Sequence, residues 1–556
     1  MNEFDTHTVF NQAPAFENVN LFACDAALRE AVQREGGAAA VPALSVLGAR
    51  LGRAAMQDLA RQANVNPPRL HNFDRAGRRI DEVEFHPAWH QLMTLLIESG
   101  AHASPWDGGA TQVARAAQYI LFGQLENGSQ CPVTMTYAAV PALRQAPRLA
   151  ARWLPKILSR EYDPRSLPLE QKRGALIGMG MTEKQGGSDV RSNTTRAVAV
   201  DAADGARLFG AADAQDLYRI VGHKWFFSAP QSDAHLILAQ TGEEGGAGLS
   251  CFLLPRFLPD GSRNQIRVQR LKDKLGNRSN ASSEVEFTGA YAWLVGAPGR
   301  GVPTILEMAS HTRLDCVLGS AGIMRAALSH ALHHARGRAV FGRPLAQQAL
   351  MQNVLADLAL ESEAATAFAL RLARCFDEKA DPAQAALARL LTPAGKYWIC
   401  KRGPGFGAEA MEVMGGAGYV EDGPLARLYR EFPVNSIWEG SGNVMCLDLL
   451  RALGKTAARE ALAAELALAG RADGHFNAYA DALLADLARP QTDEYGARRL
   501  AERIVLAVQA ALLLRHAPAY VAQAFARSRL AAGVGGAYGC LPDGVDCGAI
   551  LARALL

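Results

Sequence analysis

The stretch SIWEGSGN, residues 436–443, places one carboxylate, Glu439, between a large indole and a glycine-serine-glycine turn. Glycines give such a turn the backbone freedom that other residues lack. An acid in a turn of this kind is either an ordinary loop charge or a base held against a reacting carbon, and the second role requires a desolvated carboxyl group. The sequence around the stretch bears on which role applies.

On the N-terminal side of this turn, apolar residues recur at helical spacing over several turns. The run consists of Leu314, Val317, Leu318, Ala321, Met324 and Leu328. Further helices are predicted near residues 345–377, 383–402 and 441–453. Residues 303–454 are therefore expected to form a four-helix bundle, and the 436–443 turn leads into its last helix.

The preceding region, residues 176–302, changes to a period of two, as in residues 265–269 and 283–287, with turn clusters such as EEGGAG at 243–248. Short strands without long helices between them predict a mostly antiparallel β-barrel domain, because parallel strands need helical crossovers.

The two ends of the chain also show helical patterns. Residues 1–175 predict an N-terminal α-helical domain broken by proline and glycine, and residues 455–556 predict a helical extension rich in Ala, Leu and Arg. The expected fold class is therefore α+β, multidomain and mainly α.

Composition excludes several classes of protein. Hydrophobic residues make up 49% of the 556 residues and charged residues 20%, which is a globular balance. We find no apolar run of the roughly 18 residues that a membrane span needs, and the start MNEFDTHTVFNQ lacks the basic and apolar segments of a secretory signal. The nine cysteines show no C-x-x-C spacing, which suits a reducing compartment, so we expect a cytoplasmic protein. A net charge of +3 does not by itself indicate a polyanionic partner.

Four segments carry a family resemblance. Residues 179–190, MGMTEKQGGSDV, resemble the T-E-x-x-x-G-S-D loop of acyl-CoA dehydrogenases, and residues 337–344, GRAVFGRP, resemble their R-x-x-F-G segment. Residues 414–419, MGGAGY, and 437–441, IWEGS, resemble two further segments in the same order. The longer sequences around these segments, together with the long C-terminal extension, resemble the AidB branch of this superfamily. That branch is associated with the bacterial adaptive response to DNA alkylation. The resemblance implies the acyl-CoA dehydrogenase fold.

The resemblance also implies an FAD cofactor and a homotetramer in which a subunit contacts its neighbour's FAD. Hydroxyl groups such as those of Thr182 and Ser188 can stabilise the charge that reduction places on a flavin, and the Arg338 guanidinium can bind phosphate oxygens bidentately. A polar turn, a buried aromatic strand and a solvated helix-end arginine are the alternatives for these segments. The implied FAD contacts are Met179, Met181, Thr182, Gly187, Ser188, Phe226, Phe227, Ser228, Arg338, Phe341, Gly416, Trp438, Gly440, Ser441 and Asn443.

In the same resemblance, Glu439 takes the position of the base that removes the α-proton of an acyl-CoA while the β-hydride passes to the flavin. Some relatives carry the base in another helix, but Thr312 occupies that position here. Arg313 is expected close to Glu439, where it could orient the substrate or the base. A structural turn acid remains the alternative for Glu439.

Two departures from the family pattern put the substrate in doubt. Trp438 replaces the usual tyrosine, and the larger indole would narrow the acyl pocket. Glu412 replaces a glutamine that usually contacts the neighbouring FAD, and it should repel the diphosphate unless Arg402 or Arg427 compensates. The expected site is thus a conserved cofactor site beside an altered acyl-CoA site.

The extension is near neutral but has a basic segment. Between residues 495 and 530 only one acid, Glu502, accompanies the candidate DNA-binding residues Arg498, Arg499, Arg503, Arg515, Arg527 and Arg529. Such a face could bind duplex DNA in a salt-dependent, sequence-tolerant way, although a solvated helix face is the reading without the resemblance. No metal is expected, because His330, His333 and His334 share a helix face without an accompanying carboxylate motif.

Two functions therefore remain. The first is an FAD-containing flavoprotein that binds double-stranded DNA and protects it from alkylation, with weak or vestigial acyl-CoA dehydrogenase activity. The second is a fully active acyl-CoA dehydrogenase for a branched or unusual acyl chain, with no DNA role. Trp438 and the arginine-rich extension favour the first.

Overall fold

The computed structural model describes residue 4 and residues 6–242, 248–489, 493–531 and 536–555. The described chain forms two compact units. The first unit combines residues 1–57, 111–125 and 316–556, and the second combines residues 58–110 and 126–315. Residues from the N-terminal 175 positions thus contribute to both units, and the boundaries drawn from sequence at 175, 302 and 454 remain predictions. The predicted turn at 243–247 lies outside the described residues.

Helices dominate the described chain, and many begin at a residue whose side chain caps the first turn. Asp25, Thr111, Asp473 and Asp546 each accept a hydrogen bond from a backbone N–H of the helix that follows. The helices are α1 (Ala26–Val32), α2 (Val41–Leu51), α3 (Ala54–Val65), α4 (Pro87–Glu98), α5 (Gln112–Gly123), α6 (Gln130–Leu143), α7 (Pro147–Ile157), α8 (Ala202–Phe209), α9 (Gly301–Gly337), α10 (Ala349–Asp377), α11 (Pro382–Val413), α12 (Gly416–Tyr419), α13 (Pro424–Asn435), α14 (Gly442–Leu453), α15 (Thr456–Ala467), α16 (Gly474–Leu487), α17 (Ala497–His516), α18 (Ala519–Arg529) and α19 (Cys547–Ala554).

The strands are β1 (Arg69–Phe73), β2 (Arg79–Glu84), β3 (Ile177–Gly180), β4 (Arg196–Ala199), β5 (Leu217–Ser228), β6 (Ala234–Thr241), β7 (Gly248–Pro255), β8 (Ile266–Leu271), β9 (Ser282–Val295), β10 (Ala339–Val340) and β11 (Arg343–Pro344). In the second unit, pairings run from β6 through β4, β5, β9 and β7 back to β6, which closes a barrel.

Most of these pairings are antiparallel, whereas β3 and β4 each pair with β6 in parallel. Alternate side chains of the strands point inward, and Ile220, Phe252 and Phe287 are among the buried residues of the barrel core.

In the first unit, close helix contact positions the segment that carries Glu439. A Cβ on Gly403 or Gly407 of α11 would lie only 2.3 or 2.6 Å from the Phe432 ring of α13. The two glycines therefore let α13 approach α11 closely, with Phe432 fully buried between them. The chain leaves α13 at Asn435 and enters the 436–443 turn directly.

The extension packs into the first unit through buried ion pairs. Arg371 of α10 binds Glu465 of α15 at 2.7 Å, and both side chains are almost wholly buried. Arg553 of α19 binds Glu363 of α10 at 2.9 Å. These contacts make α15–α19 part of the same compact unit as the helix bundle.

The predicted fold class is confirmed: an α-helical N-terminal part, a middle β domain and a C-terminal helix bundle with further helices. Within the described residues, none of the helices combines the length and the apolarity needed to cross a bilayer.

Candidate functional site

The 181–190 loop of the second unit is fastened at its base by backbone contacts. The N–H of Glu183 donates to the Gly186 carbonyl oxygen, and the N–H of Gly186 donates back to Glu183. The Trp225 N–H donates to the Thr182 carbonyl oxygen at 2.9 Å, which ties the loop to β5. A Cβ on Gly187 would lie 2.6 Å from the Thr182 hydroxyl oxygen, so only glycine fits there. The loop holds Ser188 and Gly187 at the surface.

Two residues that sequence reasoning missed anchor this loop. The side chains of Glu183 and Lys224 are completely buried and form an ion pair at 2.8 Å. Backbone N–H groups of Thr194 and Thr195 also donate to the Glu183 carboxylate. Desolvation alone would raise the pKa of Glu183, but the Lys224 ammonium and the donated hydrogen bonds lower it to about 2. In the sequence both lie beside predicted FAD contacts, Glu183 next to Thr182 and Lys224 two residues before Phe226, but no local pattern pairs them.

The end of β5 presents one aromatic ring and buries the next. Phe226 is half exposed, and the Lys272 ammonium lies 4.5 Å from its ring centroid. Phe227, also predicted to contact FAD, packs inside the barrel core against His235, so only its backbone remains for a cofactor. The hydroxyl of Ser228 lies 3.3 Å from that of Ser282. Of the two phenylalanines predicted to contact FAD, Phe226 is thus the one whose ring is available for stacking.

The two predicted methionine contacts are less accessible. Met179 belongs to β3 and is buried, whereas Met181 is partly exposed and its carbonyl oxygen accepts a hydrogen bond from Asn193. Met179 therefore offers no exposed thioether to a ligand at the loop, whereas Met181 is partly accessible.

In the first unit, Phe341 projects from a two-residue hairpin. Strands β10 and β11 pair through Val340 and Arg343, which leaves Phe341 and Gly342 as the turn. Both turn residues have positive φ, +54° and +82°, as a type I′ turn requires. A bulky residue in this region is strained, and the ring is 95% exposed. The hairpin therefore presents an aromatic ring outward at a cost in backbone energy.

Arg338, the partner of Phe341 in the family motif, lies at the start of this hairpin. Its guanidinium donates to the Asn11 carbonyl oxygen at 2.9 Å. Before Arg338, two of the three histidines that share a face of α9 contact the N-terminal segment. His333 contacts the Pro14 carbonyl oxygen, and His330 packs on Phe16.

Glu439 lies in a strained turn. Its φ is +58° and that of Gly440 is +106°, so an ordinary residue stands next to a glycine in the left-handed region. The buried Lys396 donates from its ammonium to the Gly440 carbonyl oxygen at 2.7 Å. The indole nitrogen of Trp438 is buried, and within the described residues it has no hydrogen-bond partner. Such orphaned donors are rare in folded proteins, and this one adjoins the candidate base.

The residues after Glu439 begin α14. Ser441 is the N-cap residue, but its side chain makes no capping hydrogen bond, so its hydroxyl is not used by the helix. Asn443 is exposed, and its side-chain oxygen accepts from Arg498 of the extension at 2.8 Å. Gly416 begins the short helix α12, after Gly415 with a φ of +59°.

Arg402 and Arg427, which were expected to compensate the charge of Glu412, bind other groups in the structure. Arg402 is bound to Glu361 at 3.3 Å, and Arg427 is buried and donates to the Leu125 carbonyl oxygen. Glu412 itself is exposed. Both arginines thus already have acceptors other than Glu412.

Arg313, the second predicted catalytic residue, belongs to α9 in the part assigned to the second unit. The neighbouring Thr312 is buried and donates from its hydroxyl to the Ala309 carbonyl oxygen. The expected closeness of Arg313 to Glu439 remains a prediction.

The six candidate DNA-binding arginines differ in environment. Arg503 binds Asp486 at 2.6 Å, Arg515 binds Glu465 at 3.4 Å, and Arg529 binds Asp357 and Glu361 with only 13% of its side chain exposed. Arg527 donates to the Asp543 carbonyl oxygen. Arg498 and Arg499 are exposed, and neither has a carboxylate within 4 Å in the part of the chain that the structure describes.

In the first unit, the residues around Glu439 fit FAD. The unpartnered Trp438 N–H requires an acceptor oxygen, and the unused Ser441 hydroxyl offers a further hydrogen bond. Taken separately, the exposed Phe341 ring of the first unit and the exposed Phe226 ring of the second unit each offer apolar surface to a planar ring system.

Comparison with known proteins identifies related sequences along the chain. "Adaptive response protein AidB N-terminal domain" matches residues 11–164, "Acyl-CoA dehydrogenase, middle domain" matches 178–290, and "Acyl-CoA dehydrogenase, C-terminal domain" matches 299–454. The chain is 52% identical to the putative acyl-CoA dehydrogenase AidB of Escherichia coli (strain K12) over 532 residues, which cover 95% of each protein.

Solved structures resemble the chain as well. The Caenorhabditis elegans protein ACDH-11 in complex with C11-CoA superimposes with a TM-score of 0.81 at 28% identity, over 94% of this chain and 92% of that one. An acyl-CoA dehydrogenase of Bacillus anthracis complexed with FAD gives a TM-score of 0.64 at 16% identity, over 80% and 81% of the two chains, which supports the fold alone.

Proposed function

Because the chain belongs to the acyl-CoA dehydrogenase family, in its AidB-like branch, we propose that it is an FAD-containing flavoprotein that binds double-stranded DNA and protects it from alkylation. Acyl-CoA dehydrogenase chemistry is weak in this proposal. The observation that carries the flavoprotein part of this proposal is the turn at Glu439, where strained backbone and the orphaned N–H of Trp438 adjoin a carboxylate at the family's base position.

FAD is the cofactor that family membership supports. When bound, it supplies the acceptor for the hydride that leaves the β-carbon. The proposed FAD contacts are those that the family resemblance implies. They include Thr182, Ser188 and Phe226 of the second unit, and Ser441 and Asn443 are implied contacts of the first unit. Phe341 and Arg338 bind the FAD of a neighbouring subunit in the homotetramer that the family resemblance implies.

Glu439 is the proposed base. Its carboxylate removes the proton from the carbon next to the thioester carbonyl, a step that typically contributes about 10²–10⁴-fold in rate. Lys396 holds the Gly440 carbonyl oxygen and so keeps the turn in the shape that presents the carboxylate. Arg313 orients the substrate or the base. An acyl-CoA is the proposed ligand class, since the ACDH-11 relative holds C11-CoA.

The indole of Trp438 supports weak rather than full dehydrogenase activity. It occupies more volume than a tyrosine ring at the acyl pocket. A fully active enzyme for a branched or unusual acyl chain, without a DNA role, is the competing function.

The DNA role rests on the extension and on the AidB-like relatives. Arg499 supports it best, because its side chain is exposed and has no carboxylate partner within the described residues. Phosphate neutralisation by such arginines gives binding that weakens as salt rises. The ion-paired Arg503, Arg515 and Arg529 contribute less to this surface.

Substitution Glu439→Gln tests the base. The purified variant should keep its FAD absorbance, while anaerobic C11-CoA should reduce the flavin at least about 100-fold more slowly than in the wild type. Glu460→Gln changes an exposed acid of α15 and should behave as wild type. Unchanged reduction in Glu439→Gln would contradict the assignment, and loss of FAD would indicate a structural role instead.

The choice between the two functions is tested on one wild-type sample. Retention of duplex DNA that falls with added salt, together with slow flavin bleaching by straight-chain acyl-CoA, is expected. Rapid bleaching without DNA retention at low salt would favour the competing enzyme function.

A further inference from the structure

Arg498 connects the extension to the segment that follows the candidate base. It lies in the first turn of α17, and its Nε donates to the side-chain oxygen of Asn443 at 2.8 Å. Its guanidinium carbon lies 5.9 Å from the Tyr397 ring centroid. Its Nη2 would lie 4.0 Å from a Cβ on Gly442, so the guanidinium rests beside the first turn of α14.

This guanidinium is used differently from most of its neighbours in the extension. Arg503, Arg515 and Arg529 are neutralised by carboxylates, and Arg553 pairs with Glu30 and Glu363. Arg498 instead contacts a neutral amide, and within the described residues no carboxylate lies within 4 Å of it. Its charge therefore remains uncompensated by the protein at this place.

The contact has one chemical consequence. A carboxamide has an acceptor oxygen and a donor nitrogen, whereas a guanidinium has donors only. Arg498 can therefore bind only the oxygen, and this fixes which way the amide of Asn443 faces. The amide nitrogen, Nδ2, has no hydrogen-bond partner among the described residues and carries two hydrogens that can be donated.

We propose that Arg498 is a positioning residue of the cofactor site, which orients Asn443 so that its amide nitrogen donates to an oxygen of FAD. The inference rests on the proposed function, in which Asn443 contacts the cofactor. The extension thus takes part in holding FAD, in addition to any role with DNA.

The test measures the FAD dissociation constant of apoprotein by fluorescence titration. Arg498→Met and Asn443→Ala should each weaken FAD binding about tenfold. The double variant should bind FAD no more weakly than Asn443→Ala alone, because Arg498 acts through Asn443. Arg498→Lys should recover part of the affinity, since an ammonium can also donate to the amide oxygen. Arg451→Met, at an exposed position of α14, should stay within twofold of wild type.

The possible results separate the inference from a structural role and from the proposed function. A lower melting temperature with unchanged FAD affinity in Arg498→Met would overturn the inference and make the contact a packing one. Fully additive losses in the double variant would also overturn it. A wild-type apoprotein that takes up no FAD would overturn the proposed function, and the inference with it.

Discussion

At the scale of single residues, two side chains occupy backbone conformations that disfavour them. Glu439 has a φ of +58° and Phe341 a φ of +54°, and such strain costs roughly 1–3 kcal/mol per residue. Each is followed by a glycine that also has positive φ. Strain of this kind persists where a side chain must be presented in one direction, which agrees with a base at 439 and an exposed contact ring at 341.

Phe341→Gly tests whether the strain serves a contact. Glycine tolerates positive φ, so the melting temperature of FAD-free protein should stay unchanged or rise slightly. FAD retention and the oligomer mass in light scattering should both decrease. Gly342→Ala should instead lower the free energy of unfolding by about 1 kcal/mol, since its φ is +82°. Wild-type FAD retention in Phe341→Gly would argue against the subunit contact.

Lys396→Met tests the ammonium behind the Glu439 turn. Its removal leaves the Gly440 carbonyl oxygen without this donor, so the turn should loosen and the rate of flavin reduction should fall at least about tenfold. Lys401→Met, at an exposed position of the same helix, is the control. An unchanged rate in Lys396→Met would show that the turn keeps its shape without the ammonium group.

At the scale of elements, the 181–190 loop is held by one buried ion pair, Glu183 with Lys224 of β5. The Glu183 carboxylate is turned inward and accepts from five donors: Lys224, Gln185, the backbone N–H groups of Thr194 and Thr195, and the Thr194 hydroxyl group. The hydroxyl group of Ser188 and the glycine Gly187 remain exposed. The β-barrel thus fixes this loop through an ion pair and hydrogen bonds.

Breaking this pair should destabilise the protein strongly. Glu183→Gln or Lys224→Met leaves a partner buried and uncompensated, so the free energy of unfolding should fall by about 3–5 kcal/mol in urea. Glu161→Gln, which breaks an exposed pair with Arg173, should change it by less than about 1 kcal/mol.

The pair also predicts a dependence on pH. Because the folded-state pKa of Glu183 is lowered from 4.5 to about 2, its stabilising contribution is complete above about pH 5 and is lost as pH falls toward 2. Glu183→Gln should therefore lose less stability than the wild type over this range. Parallel pH curves for both proteins would contradict this assignment.

At the scale of the whole molecule, the extension has two kinds of arginine. Arg529 is buried against Asp357 and Glu361 of α10, whereas Arg499 is exposed. Burial requires charge compensation, so the first kind stabilises the helical unit, and only the second kind has charge to offer a polyanion.

Arg499→Ala and Arg529→Met should separate these roles. Arg499→Ala should leave the melting temperature unchanged and reduce the slope of log affinity for duplex DNA against log salt by about 0.9. Arg529→Met should lower the free energy of unfolding by about 3–5 kcal/mol while the folded fraction binds DNA as before. An unchanged slope in Arg499→Ala would move the DNA surface elsewhere.

Local sequence patterns were enough to predict the fold class and to select Glu439 as the candidate base. Periodicity is local, because side-chain direction repeats every two residues in a strand and every 3.6 in a helix, and the motif at 436–443 is contiguous. Only the tertiary structure decided that Glu183 and Lys224 pair, that Phe227 is core, and that Arg529 is buried while Arg498 reaches Asn443. Those outcomes depend on contacts between residues far apart in the chain, and burial changes the energy of a charge far more than its neighbours in sequence do.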